Sequence, residues 1–198
     1  MTADRNTLPA RQRILLTAHD LFYQEGIRAT GIDRIIKESG VTKVTFYRHF
    51  PSKNDLITAF LAYRHQQWLT WFSTALDRHV AQTGGLLPAL APCLAEWFDD
   101  PRFRGCAFIN TAVEIADLLP ESLQIAGWHK RQMADELARH LPAGPQREQR
   151  EQREQRAAML AMLIDGAIVR VQIERQPQAA LQVLNAALNM LAQGGFDQ

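Results

Sequence analysis

Lys43, Thr45, Tyr47, Arg48 and His49 gather two cations, a hydroxyl, a phenol and an imidazole within seven residues, with the small apolar Val44 among them. Such a mixture suits phosphate oxygens and base edges. Enzymatic chemistry finds little support elsewhere. Histidines 19, 49, 65, 79, 129 and 140 form no HxxxH or HExxH pair, and the chain carries neither a Gly-rich phosphate loop nor a GxSxG elbow. His129 with Glu136 or Asp135 is the one conceivable acid–base pair, and nothing in the sequence holds them together. Cys93 and Cys106 stand thirteen residues apart, a spacing that supports neither a disulfide framework nor a structural zinc site. No cofactor is expected.

The elements that must carry these residues follow from the apolar spacing. Ile32, Ile35 and Ile36 recur at i, i+3 and i+4, the period of an amphipathic helix, and Gly40 falls where a left-handed cap would end it. Thr42 can then N-cap a second, short helix whose Phe46 and Phe50 pack on those isoleucines. A helix-turn-helix results, with its polar face turned outward. Ser52 and Asp55 form a capping-box pattern that starts the next helix at Lys53, a helix N-terminus beside a lysine that suits a phosphate. Upstream, Thr7 to Glu25 places Ile14, Leu15, Ala18, Leu21 and Phe22 at helical spacing and closes on Gly26. For Ile35, Ile36, Phe46 and Phe50 the structural role is the whole role.

With these residues in view, about residues 9–57 resemble the N-terminal domain of the TetR family of transcriptional regulators. The resemblance rests on Gln24-Glu25-Gly26, the three isoleucines, Gly40-Val41-Thr42-Lys43, the run Thr45-Phe46-Tyr47-Arg48-His49-Phe50, and Ser52-Lys53. It implies that Thr42 caps the recognition helix, that Lys43 and Val44 meet bases, and that Thr45, Tyr47, His49 and Lys53 meet phosphates of double-stranded operator DNA. Val44 stands where many members have glycine, so its operator cannot be borrowed from relatives.

The 198 residues suffice for one large or two small domains. Net charge is +1 and unevenly spread: residues 1–57 hold nine Lys/Arg against six Asp/Glu. A head so mildly basic leaves the motif, not bulk charge, to carry the expectation of DNA binding. The polar N-terminus lacks an apolar signal region, and Ala157–Val169, interrupted by Asp165, falls short of the ~18–20 apolar residues of a membrane helix, so a cytoplasmic protein without membrane contact is expected.

Past the head, helical patterns run over Leu56 to about Val80, Pro88–Asp99, Gly105–Leu118 and Pro120 to about His140. An Arg-Glu-Gln triplet then repeats three times from Arg147 to Gln155, predicting a solvated loop and helix extension rather than a nucleic-acid patch, since every Arg brings a Glu. The fold class predicted is all-α, with a three-helix helix-turn-helix DNA-binding domain at residues 1–56 and a helical ligand-binding and dimerisation domain at 57–198.

Ala157–Glu174 and Ala179–Ala192 carry more apolar surface than one covering layer requires. The resemblance implies a homodimer built on these last two helices, here through Leu163, Ile164, Ala167, Val171, Leu184 and Leu188. It also implies a small-molecule effector cavity bordered by the helix after Gly105-Cys106. Cys106, Asn110 and either Val113 or Glu114 would line one wall, with Trp68, Phe72, Phe98 and Trp128 as aromatic remainder. The most direct expectation is a repressor released from a near-palindromic operator by an inducer. A cysteine sensor of electrophiles or oxidants at Cys106, activated by Arg102 or Arg104, is an alternative. A helical enzyme or adaptor is another, though neither explains Lys43, Tyr47 and Lys53.

Overall fold

Nine α-helices, preceded by a single 3-10 turn at Arg5–Thr7, account for the regular structure in a computed structural model that describes residues 5–143 and 146–196; no strand occurs among them. In chain order they are α1 (Ala10–Glu25), α2 (Ile32–Ser39), α3 (Lys43–His49), α4 (Lys53–Thr83), α5 (Leu86–Phe98), α6 (Ala107–Ile115), α7 (Glu121–Arg139), α8 (Arg147–Glu174) and α9 (Pro177–Gln193). The all-α expectation holds. No helix among the described residues is long and apolar enough to cross a membrane.

The chain forms two compact units, and the division does not fall at residue 56. It lies inside α4, and the first unit, running up to Gln66, also takes in Ala107–Ala126. The second holds Gln67–Cys106 and the residues from Gly127 on. A 31-residue helix without Gly or Pro thus contributes its first part to one core and its remainder to the other.

In the first unit, Ile14, Ala18, Leu21 and Phe22 line the buried side of α1. Ile35, Phe46 and Phe50 close the core from α2, α3 and the residue after α3, and Leu56 and Phe60 do so from α4. Phe22 meets Phe60 edge to face with ring centroids 5.5 Å apart. Each Leu, Ile or Phe side chain among them stabilises the head by about 1.5–3 kcal/mol on removal from water.

In the second unit α5 is apolar on nearly all sides, and Leu86, Leu87, Leu90, Cys93, Leu94, Trp97 and Phe98 are all buried. It packs on α9, which also packs on α8. The triplet repeat is helical from Arg147 on: Gln146 and Gln149 form a reciprocal capping box, and Arg147 Nε donates to Glu151 Oε1 at 2.7 Å.

One expectation is overturned here. Ile164, Ala167, Val171, Leu184 and Leu188 are buried in the chain's own core, between 0 and 6% exposed, and Leu163 is half-buried. None of the five buried residues is available to a second subunit, because these most apolar positions are already used to join α5, α8 and α9. The large apolar side chains that α8 and α9 leave exposed are Met159, Met162 and Ile173, and Val183 and Met190.

Candidate nucleic-acid interface

The turn into α3 is built as its sequence requires. Gly40 adopts φ 63°, the left-handed region, and its N–H donates to the last carbonyls of α2; a side chain there would strain the backbone. Thr42 Oγ1 accepts from Thr45 N–H at 3.2 Å and lies 2.9 Å from Thr45 Oγ1, so both hydroxyls serve the start of α3. Phe46 is fully buried and anchors the helix, with Tyr47 packed edge-on against it at 5.2 Å. The guanidinium of Arg11 lies over the Phe50 ring at 5.2 Å, a cation the sequence reading did not assign to this surface.

With Phe46 turned inward, α3 presents Lys43, Val44, Tyr47 and Arg48 to solvent, and His49 sits half-buried at its end. Val44 is 71% exposed, far more than a valine with a core role would be. Lys43 reaches no nearer than 4.0 Å to Asp33, and both side chains are exposed, so that ion pair is weak and breakable. This is an apolar methyl pair beside an exposed cation on one short helix.

Lys53 is placed differently from the others. Its Nζ donates to Ile27 O at 2.6 Å and lies 5.9 Å from the Phe22 ring centre, and burial lowers its pKa, partly offset by the nearby Glu114 carboxylate. The ammonium is thereby directed at the α1–α2 turn. The capping box behind it does form: Asp55 N–H donates to Ser52 Oγ at 3.1 Å, and Ser52 Oγ donates to Asp55 Oδ2 at 2.6 Å.

The residues assigned to an effector are divided between the two units. Trp68, Phe72 and Phe98 are buried in the second unit, in a cluster with Trp71, Trp97, Phe103 and His129. Trp68 stacks on Phe72 at 4.7 Å, and its indole N–H is buried without a hydrogen-bond partner. Trp128 is 45% exposed, one position before the buried His129. Cys106 is buried, and an inaccessible thiol does not favour an electrophile sensor. The other cysteine, Cys93, has its thiol pushed up to about 12 by burial.

Asn110 and Glu114 belong to the first unit. With Phe22, Tyr23, Ile27, Phe60, Ala107 and Thr111 they line a recess of about 10 Å³, space for a single water. The Glu114 carboxylate is already occupied by main-chain donors: Ile27 N–H at 3.0 Å and Arg28 N–H at 2.5 Å. Val113, the alternative on that wall, is 84% exposed. Sequence reasoning missed Trp97, Phe103 and His129, as well as Arg28 and Asp117. The paired Trp68 and Trp97 were a usable signal for the cluster; nothing local pointed from Arg28 to α6. Among the described residues, no group of three or more His, Cys, Asp or Glu is placed to hold a metal.

An exposed, cation-bearing short helix set on a buried Phe pair after a left-handed glycine has the geometry of a helix-turn-helix head. Residues 14–60 match the family described as bacterial regulatory proteins, tetR family. An HTH-type transcriptional regulator of Staphylococcus aureus (strain bovine RF122 / ET3-1) is 36% identical over 73 residues, which are 37% of this chain and 40% of that protein. Another, from strain USA300, is 50% identical over 46 residues, 23% of this chain and 25% of that one. The similarity thus covers less than half of either curated relative. In three dimensions, SCO4454, a TetR-family transcriptional regulator from Streptomyces coelicolor, matches with TM-score 0.74 at 28% identity over 93% of this chain and 95% of its own. The reduced form of Escherichia coli NemR shares the fold, with TM-score 0.73 at 21% identity over 91% of this chain and 95% of that one. Residues 14–60 are thus similar to the DNA-binding domain of the tetR family, and the chain as a whole shares the fold of TetR-family transcriptional regulators.

Proposed function

We propose that this chain is a homodimeric repressor that reads a near-palindromic operator through α3 and is released by a small molecule. The observation that carries the reading is the exposed set Lys43, Val44 and Tyr47 above the buried Phe46. Lys43 meets a base edge, Val44 a thymine methyl, and Tyr47, His49 and Thr45 meet phosphates on either side. Two heads related by two-fold symmetry span successive major grooves about 34–36 Å apart. The apolar side chains left open on α8 and α9, from Met159 and Met162 to Val183 and Met190, supply the self-complementary surface.

The effector belongs beside the aromatic cluster of the second unit. A planar compound with a hydrogen-bond acceptor answers both the ring faces and the partnerless indole N–H of Trp68. A gel shift with the DNA upstream of the chain's own coding sequence tests the central reading: a retarded band that survives excess unrelated duplex is expected. Absence of affinity for any duplex at low salt would overturn it.

A further inference from the structure

We propose that Glu114 is the positioning residue of the DNA-reading head, pinning the Gly26–Arg28 turn to α6 and so fixing the pose in which α3 meets the operator. This rests on the DNA-binding reading above. Within the first unit, the turn between α1 and α2 is held from both sides. Glu114 Oε2 accepts Ile27 N–H at 3.0 Å and Oε1 accepts Arg28 N–H at 2.5 Å. Lys53 Nζ donates to Ile27 O at 2.6 Å. Gly26 N–H donates to Phe22 O at 3.1 Å, and Thr30 Oγ1 donates to Gly26 O at 2.7 Å. Five main-chain polar groups of a three-residue turn are therefore taken up, two of them by one carboxylate.

The Arg28 side chain doubles the tie. Its Nε donates to Glu114 O at 2.5 Å, and its terminal nitrogen donates to both Asp117 oxygens at 2.9 and 3.1 Å. Gly26, at φ 96°, lies in the left-handed region that favours glycine, and a Cβ there would stand 3.0 Å from Glu114 Oε1, so the carboxylate would have to shift. These bonds join residues 86 to 89 positions apart.

The location gives the tie its consequence. The turn leads straight into α2 and α3, whereas α6 follows directly on Cys106, the last residue of a stretch belonging to the second unit. Glu114 therefore fastens the turn that leads into the reading helices to α6, within the first unit. A recognition helix displaced by a few ångströms no longer fits both grooves. Lys53 acts in the same device through its bond to Ile27 O.

The test uses the full chain, its upstream DNA and an unrelated duplex, with fluorescence anisotropy for affinity and circular dichroism for melting. Glu114→Gln keeps the size but sets an amide NH2 against a main-chain N–H. Its operator Kd should rise about tenfold, the scale of one charge-assisted hydrogen bond, while affinity for the unrelated duplex stays within about twofold. Amide exchange at Ile27 and Arg28 should quicken. Arg28→Ala, an exposed side chain, should weaken operator binding at unchanged melting temperature and decides the matter if Glu114→Gln does not fold. Equal losses on both duplexes, or operator binding like that of the parent chain, would overturn the proposal. A parent chain that binds no duplex removes the DNA-binding reading itself, a result separate from either.

Discussion

Val44, at 71% exposure, has no core to serve. Val44→Gly should lose preference for thymine at one step of each half-site, visible in binding to single-base operator variants. Lys43→Ala should relax a neighbouring position, costing ~1–3 kcal/mol there. Tyr47→Ala should instead weaken all variants alike, with the slope of log K against log salt unchanged, because a neutral phenol releases no counterion. A fourth residue speaks to pH. Burial lowers the pKa of His65 from its ordinary 6.5, so the unfolded chain binds the proton more readily than the folded one. Stability contributed by neutral His65 is full above 6.5 and is lost as pH falls below it. The urea midpoint should therefore decline from pH 7 towards 5.5, and the decline should shrink in His65→Gln.

At the level of elements, α8 and α9 show where the sequence was legible and where it was not. Their existence followed from apolar spacing, as did α2, the Gly40 turn and the Thr42 cap, because a 3.6-residue period and a glycine at a left-handed position are local facts. Which side faces inward was not local. Both helices carry apolar residues around most of their circumference, and the richest positions, such as Ile164 and Leu184, are consumed by the chain's own core. The methionines at 159, 162 and 190 were left over. Met162→Glu and Met190→Glu should accordingly yield monomers in sedimentation with little loss of melting temperature. Leu184→Glu should unfold the second unit, since it buries an unpaired carboxylate. If Met162→Glu and Met190→Glu both stayed dimeric, the interface would lie elsewhere. The bonds of Glu114, which the sequence offered only as a lining residue of an effector cavity, escaped for the same reason: its partners lie 86 and 87 residues away, beyond any helical period.

For the whole molecule, effector and operator must be linked reciprocally: whatever factor the effector takes from operator affinity, operator must take from effector affinity. Titrating an inducing compound by tryptophan fluorescence, with and without operator, measures that factor twice. Trp68→Ala should abolish the response while leaving ligand-free DNA affinity nearly intact, as Trp68 lies in the second unit and α3 in the first. An unchanged response would move the effector site away from the aromatic cluster.

The first unit is discontinuous in sequence, and that gives it a history during synthesis. Ile27 leaves the ribosome 87 residues ahead of Glu114, roughly 4–17 s at about 5–20 residues per second. Once residues up to Phe60 have followed, α1 to α3 and the start of α4 have their Phe and Ile core complete, while the partner of the N–H groups at 27 and 28 is still to come. A newly made head is thus folded before it is aimed. Any chimaera that transplants residues 1–66 onto another body keeps this immature condition permanently unless residues 107–126 travel with them.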